Sequence, residues 1–194
     1  MTKIYLAGPD VFAADPQALG ARKMALCAQH GLEGVFPMGL VALDTSRAKR
    51  EQGLQIFDVM ERALSDCDAM IVNLTPFHGP SADVGTAVEI GFMRAQNKPI
   101  FAYSNSDDHF ADRVSRFWEG DVTQRESGAL QGADGMEIEA FDMCDNLMVH
   151  GSVERSTGVL VTRDVPQGAV YDDLTAFEAC VVKAAAWLAE RAEA

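Results

Sequence analysis

Asp66-Cys67-Asp68-Ala69-Met70-Ile71-Val72-Asn73-Leu74, then Thr75-Pro76-Phe77-His78-Gly79-Pro80-Ser81-Ala82, then Asp83-Val84-Gly85-Thr86-Ala87-Val88-Glu89-Ile90-Gly91-Phe92, is the stretch whose reading decides the fold. Ala69 to Leu74 is a short apolar run with acidic residues before it and proline and glycine after it, the pattern of a strand buried on both faces. From Gly85 onward, Ala87, Ile90, Gly91 and Met93 fall roughly on one helical face. A strand therefore feeds a loop that feeds a helix, with Asp83 at the helix start and Glu89 in its second turn. Parallel sheets bind ligands beyond the carboxyl ends of their strands. Helical side chains lean toward the helix N-terminus, so Glu89 can reach back to that mouth. Asp83 also reads as a helix cap and Glu89 as an exposed helix residue. A carboxylate set among Ala87, Val88, Ile90 and Gly91 is out of place on a solvated face, which favours a functional role.

Outward from this unit, Lys3 to Ala7 reads as a first strand ending at Gly8-Pro9-Asp10, a tight turn whose backbone can approach a ligand. A single glycine there makes neither a dinucleotide fingerprint nor a phosphate loop. Asp15-Pro16 opens a helix that Leu19, Lys23, Leu26 and His30 follow until Gly31 closes it. Val35-Phe36-Pro37 reads as a second short strand, and Ile56, Met60, Ala63 and Leu64 recur at helical spacing between about Gln52 and Ser65. Lys98 to Tyr103 is a further strand. Residues 104–136 are too long and polar for a plain connection and read as an insertion or a lid. Phe141 to His150 has no clear assignment, Gly158 to Thr162 reads as a hairpin or an edge strand, and Tyr171 to Ala192 as a final helix. The order predicts one α/β domain, an open doubly wound parallel sheet flanked by helices.

At 194 residues and 48% hydrophobic, the chain suffices for one full core. No apolar run approaches the ~20 residues that span a bilayer, and the N-terminus has no signal-peptide core, which predicts a cytoplasmic protein. The four cysteines, Cys27, Cys67, Cys144 and Cys180, form no CxxC pair and read as buried or free thiols. His and Cys are too few and too dispersed to predict a metal. A formal charge of −13 argues against nucleic-acid binding through bulk electrostatics and suits a small neutral substrate.

Four blocks together resemble the nucleoside 2-deoxyribosyltransferases: Ile4-Tyr5-Leu6-Ala7-Gly8-Pro9-Asp10-Val11-Phe12, Asp66-Cys67-Asp68, Asp83-Val84-Gly85-Thr86-Ala87-Val88-Glu89-Ile90-Gly91, and Asn146-Leu147-Met148. The resemblance runs from Met1 to about Met148. It implies a flavodoxin-like subunit that moves 2-deoxyribose between nucleobases, with no organic cofactor. It implies that Glu89 is a nucleophile forming a covalent deoxyribosyl intermediate with net retention, as in a retaining glycosidase. Tyr5 matches the tyrosine that holds this carboxylate, although by itself it reads as an ordinary strand aromatic. Asp83 matches an aspartate that bonds the sugar's 5′-hydroxyl. Asn146 and Met148 match residues lent to a neighbouring subunit's site, which implies a homo-oligomer; alone they read as a turn residue and a core filler. Phe77-His78-Gly79 resembles the loop over the base, with His78 equally a solvent-facing histidine.

One position departs from the pattern. Many members of that family carry an Asp or Asn on the helix before the central strand, eight residues ahead of the second aspartate of the Asp-x-Asp motif, where it reaches the base. That count lands on Met60, while neighbouring Asp58 and Glu61 point to other helix faces. Leaving-group protonation is thereby unassigned, with Asp83, a water or a C-terminal group as alternatives. Residues 151–194 are longer than the family leads one to expect. Two other readings stand beside the transferase: a 2-deoxynucleoside 5-monophosphate N-glycosidase, disfavoured because Asp83 would repel a phosphate, and a non-catalytic nucleotide-sensing domain on the same fold.

Overall fold

Every residue of Ala69–Asn73 and of Ile100–Ser104 is buried in the computed structural model, which describes residues 1–192. Both strands are mostly apolar, with polar residues only toward their carboxyl ends, because helices cover both faces of the sheet they share. In chain order the first elements are β1 (Thr2–Ala7), α1 (Pro16–Gln29), β2 (Leu32–Val35), α2 (Lys49–Asp66), β3 (Ala69–Asn73), α3 (Val84–Ala95), β4 (Ile100–Ser104) and α4 (Phe110–Phe117). Three short strands follow, β5 (Val122–Gln124), β6 (Leu130–Gly132) and β7 (Glu137–Ile138), then α5 (Leu147–Glu154), β8 (Leu160–Thr162) and α6 (Thr175–Ala192). The main sheet has the order β2-β1-β3-β4-β8 with every pairing parallel. This is the flavodoxin-like arrangement, whose crevice opens where the order reverses between β1 and β3.

Alternation along β1 sends neighbouring side chains to opposite faces. Ile4 and Leu6 join Phe101, Tyr103, Phe177 and Val181 under α1 and α6. Tyr5 and Ala7 join Met70, Val72, Ile90 and Met93 on the face covered by α2, α3 and α5. The parity of β1 thus aims Tyr5 at the helix that carries Glu89.

Several boundaries differ from those expected. The second strand is Leu32–Val35, starting three residues earlier than the expected Val35 to Pro37, because it pairs with β1 from Thr2 onward and Pro37 has no N–H to offer. Residues 104–136 hold α4 and most of a three-stranded antiparallel sheet that ends at Ile138. Its turns contain Gly128 and Asp134-Gly135, with both glycines at positive φ. The unassigned Phe141 to His150 segment leads into α5, which Asn146 caps by accepting from the Met148 N–H at 3.0 Å. Gly158 to Thr162 contains an edge strand paired to β4, and α6 starts at Thr175 rather than at Tyr171.

Beneath the turn that follows β1 lies a polar knot the helical pattern does not reveal. Lys23, read as one more residue along α1, is buried, with its Nζ 3.0 Å from Asp10 Oδ2; the two side chains are 1% and 2% exposed. The ammonium also donates to the Tyr103 hydroxyl at 3.0 Å and lies 4.7 Å from the Phe177 ring centroid. The Asn73 amide donates to Asp10 at 3.2 Å. The knot joins α1 to the ends of β1, β3 and β4, and removing one charge strands the other in a dry core. Lys23→Met is expected to cost about 3–5 kcal/mol in chemical denaturation, and Lys23→Met with Asp10→Asn to recover much of it.

Candidate active site

A cleft of about 530 Å³ opens at the carboxyl ends of β1 and β3, where the strand order reverses. The turn after β1 gives it Gly8, Val11 and Phe12, α2 gives Ile56 and Met60, and α3 gives Asp83, Thr86 and Glu89. The segment after β2 closes the remaining side with Pro37, Met38, Val41 and Leu43. Gly8 has φ +143°, and a Cβ there would stand 2.5 Å from that of Asn73, so this close approach of β1 to β3 requires glycine.

Tyr5 is wholly buried, and its hydroxyl donates to Glu89 Oε1 at 2.7 Å. The Met60 sulfur is 3.5 Å from the same hydroxyl. Burial pushes the Glu89 carboxyl up to about 7 and the neighbouring Asp83 adds to this, while the Tyr5 O–H, which favours the carboxylate, opposes it. Burial and the Glu89 charge hold the tyrosine far above its usual range, so it remains a donor. Asp83 is the N-cap of α3: its Oδ2 accepts from the Thr86 N–H at 2.9 Å and the Thr86 hydroxyl at 3.1 Å. Its Oδ1 takes no hydrogen bond among the described residues. The helix-cap reading and the cleft position therefore coexist.

The remaining candidates divide. Met60 and Gly8 lie on the cleft wall, while Asp58 and Glu61 are exposed and off it. Phe77, expected over the base, is not on this wall. It is sandwiched between Phe12, at 5.2 Å and 14°, and His78, at 3.9 Å and 17°, and Phe12 takes the place at the cleft. His78 lines a separate, more polar cavity with Asn105 and Tyr171. Asn146 and Met148 do not line the Glu89 cleft of their own chain. The Asn146 amide donates to Glu139 at 2.8 Å, and Met148 is 70% exposed. Among the described residues no group of three or more His, Cys, Asp or Glu is placed to hold a metal.

A second buried pair sets the entry to α3. Asp145 accepts from the Ser81 hydroxyl at 2.5 Å and the Ala82 N–H at 2.8 Å, directly ahead of Asp83. Arg113, 3.3 Å from the same carboxylate, donates to Pro80 O and Asp108 O, both at 2.7 Å. The loop from β3 is thus tied to α4 and to the start of α5, which points Asp83 and Glu89 at the cleft.

The nucleoside 2-deoxyribosyltransferase family model matches residues 4–148, which spans both the Tyr5–Glu89 pair and Asn146 to Met148. The chain belongs to this family. A 2-desoxiribosyltransferase from Leishmania mexicana is 26% identical, with a TM-score of 0.59 over 77% of this chain and 86% of that one. A conserved protein from Enterococcus faecalis V583, 20% identical, shares the fold at a TM-score of 0.56 over 95% of this chain and 99% of its own. An uncharacterised protein of Schizosaccharomyces pombe is 30% identical over 166 residues, 80% of this chain and 78% of the relative.

A carboxyl group raised by burial binds a proton in the folded state that it releases in the unfolded one. The stability it contributes is whole below the unfolded value of 4.5 and is lost as pH rises through about 7. Glu89→Gln removes that loss. Between pH 5 and pH 8.5, denaturation should show the variant gaining on the wild type by on the order of 2–3 kcal/mol.

Proposed function

We propose that the protein is a nucleoside 2-deoxyribosyltransferase in which Glu89 attacks the anomeric carbon of a 2-deoxynucleoside and holds the sugar as a covalent ester until a second base displaces it. The observation that carries this reading is the 2.7 Å bond from Tyr5 to a Glu89 that lines the cleft. One carboxylate oxygen is fixed by the phenol, which leaves the other available to the sugar. Two inversions at one carbon give net retention, and the intermediate divides one hard displacement into two easier ones. A 2-deoxy sugar suits the route because no 2-hydroxyl withdraws electrons from the cationic centre. As the ester forms, the Tyr5 O–H remains placed to stabilise the carboxylate that leaves in the second step. The unbonded Asp83 Oδ1 is the acceptor for a free 5′-hydroxyl.

Hydrolysis of a 5-monophosphate fits less well, since the cleft lining holds two carboxylates and neither lysine nor arginine. A sensor domain would have no need of a half-buried carboxylate held by a phenol in a cleft. The homo-oligomer implied for Asn146 and Met148 finds support in apolar exposure along α3 and α5: Val84 is 80% exposed, Val88 64% and Met148 70%. In this reading the two residues complete a partner's cleft. No helix among the described residues is long and apolar enough to cross a membrane, and nucleobase salvage in the cytoplasm is the proposed setting.

Purified protein given deoxyinosine and adenine should yield deoxyadenosine and hypoxanthine by chromatography. Hypoxanthine without deoxyadenosine would mark a hydrolase, and no turnover a sensor. Glu89→Ala should abolish exchange with the fold intact. An equal mixture of Glu89→Ala and Asn146→Ala subunits, after verified subunit exchange, should regain part of the activity lost in each.

A further inference from the structure

The cleft is chemically two-ended. Glu89 and Asp83 occupy one end, and beyond Tyr5 every side chain that α2 and the segment after β2 present to the cleft is apolar. The α2 positions that face the cleft are Ile56 and Met60, one helical turn apart, while Asp58 and Glu61 are exposed elsewhere. Met60 stands at the reacting centre itself: its sulfur is 3.5 Å from the hydroxyl that holds Glu89. A sugar carbon brought to Glu89 therefore places its departing base against a thioether and aliphatic groups, none of which can give a proton. Within one subunit the base end is also open to water, with Phe12 65%, Ile56 42%, Met38 39% and Leu43 37% exposed.

From this we infer that the enzyme is selective for donors whose base takes its proton from water before the glycosidic bond breaks, namely purine 2-deoxynucleosides, and that Met60 enforces the selection. The inference rests on the transferase reading above. A purine has a basic ring nitrogen, N7, on the ring edge remote from the sugar bond, where water at the open end of the cleft can protonate it. Thymine and uracil have only weakly basic carbonyl oxygens and depart as anions unless a donor meets them, and the apolar wall offers none.

The step balances without an enzymic acid. Water gives a proton to N7, Glu89 forms its bond to the anomeric carbon, and the electron pair of the carbon–N9 bond returns to the neutral purine. In the second half the neutral N7–H tautomer of an incoming purine attacks through N9, the ester bond breaks back to the Glu89 carboxylate, and N7 gives its proton to water. An apolar wall suits a flat ring system, which it recognises by area and shape. It supplies no hydrogen bond that would distinguish one purine from another.

The test measures kcat/KM for deoxyinosine and for thymidine as donors, each with adenine as acceptor, in the wild type and in the length-matched pair Met60→Glu and Met60→Gln. A missing leaving-group acid is worth about 100-fold or more, so thymidine should lag deoxyinosine by at least that factor in the wild type. The thymidine-to-deoxyinosine ratio should be about tenfold or more higher in Met60→Glu than in Met60→Gln, because both are polar and of one length but only the first can carry a proton to the base. A ratio cancels general damage to the fold, and the wild-type comparison does not depend on either variant folding. Comparable use of both donors by the wild type overturns the proposal while leaving the transferase standing. Equal ratios in the two variants overturn the role of Met60. No exchange from either donor overturns the transferase reading and this one with it.

Discussion

A carboxylate withdrawn from water between two helices and a sheet is costly to ionise, and the whole arrangement turns on the one donor that meets it. The Tyr5 phenol reaches Glu89 because β1 alternates its side chains and because α3 crosses the same face of the sheet that Tyr5 points into. Burial raises the carboxyl toward neutrality, and the phenol keeps it from going further. The balance leaves a group that is ionised for part of its time near neutral pH and is poorly solvated when it is. That is the condition under which a carboxylate attacks a cationic carbon readily.

The supports of this pair are themselves buried ionic groups. Asp10 with Lys23 anchors the turn that presents Gly8 and Phe12, and Asp145 with Arg113 anchors the loop that presents Asp83. Neither pair faces the cleft that holds Glu89. The first ties the turn after β1 to α1 and the second ties the loop after β3 to α4, so that the cleft walls belong to the rigid body of the domain although they are built from loops. Asp145 also links the Glu89 cleft to the first turn of α5, since Asn146, its neighbour in the chain, caps that helix.

Much of this could be seen in the chain itself, and the reason is local. The central strand is apolar up to Asn73 because it is covered on both faces, and Glu89 stands out because its sequence neighbours are aliphatic. Asp83 could be placed at the mouth because helix caps have their own chemistry. What could not be seen depends on pairings across the fold. Lys23 looks like one more residue along α1 until Asp10 and Tyr103 are brought to it, and nothing near Asp145 announces Arg113. Phe77 was expected over the base because Phe77-His78-Gly79 resembles the family's loop there, whereas Phe12, stacked on Phe77, lines the cleft instead. The small antiparallel sheet carried turn signals at Gly128 and at Asp134-Gly135, but its strands are only two or three residues long, too short for alternation to show.

In the proposed route Glu89, held by Tyr5 beside Asp83, carries the sugar for a time as an ester. The most direct measurement is intact-protein and peptide mass spectrometry after brief incubation with a 2-deoxynucleoside and no acceptor base. The account predicts a mass increase of one deoxyribosyl group, confined to the peptide that contains Glu89 and discharged when a purine base is added. An adduct on any other residue, or rapid base exchange with no adduct at Glu89 under conditions that trap the ester, would contradict it.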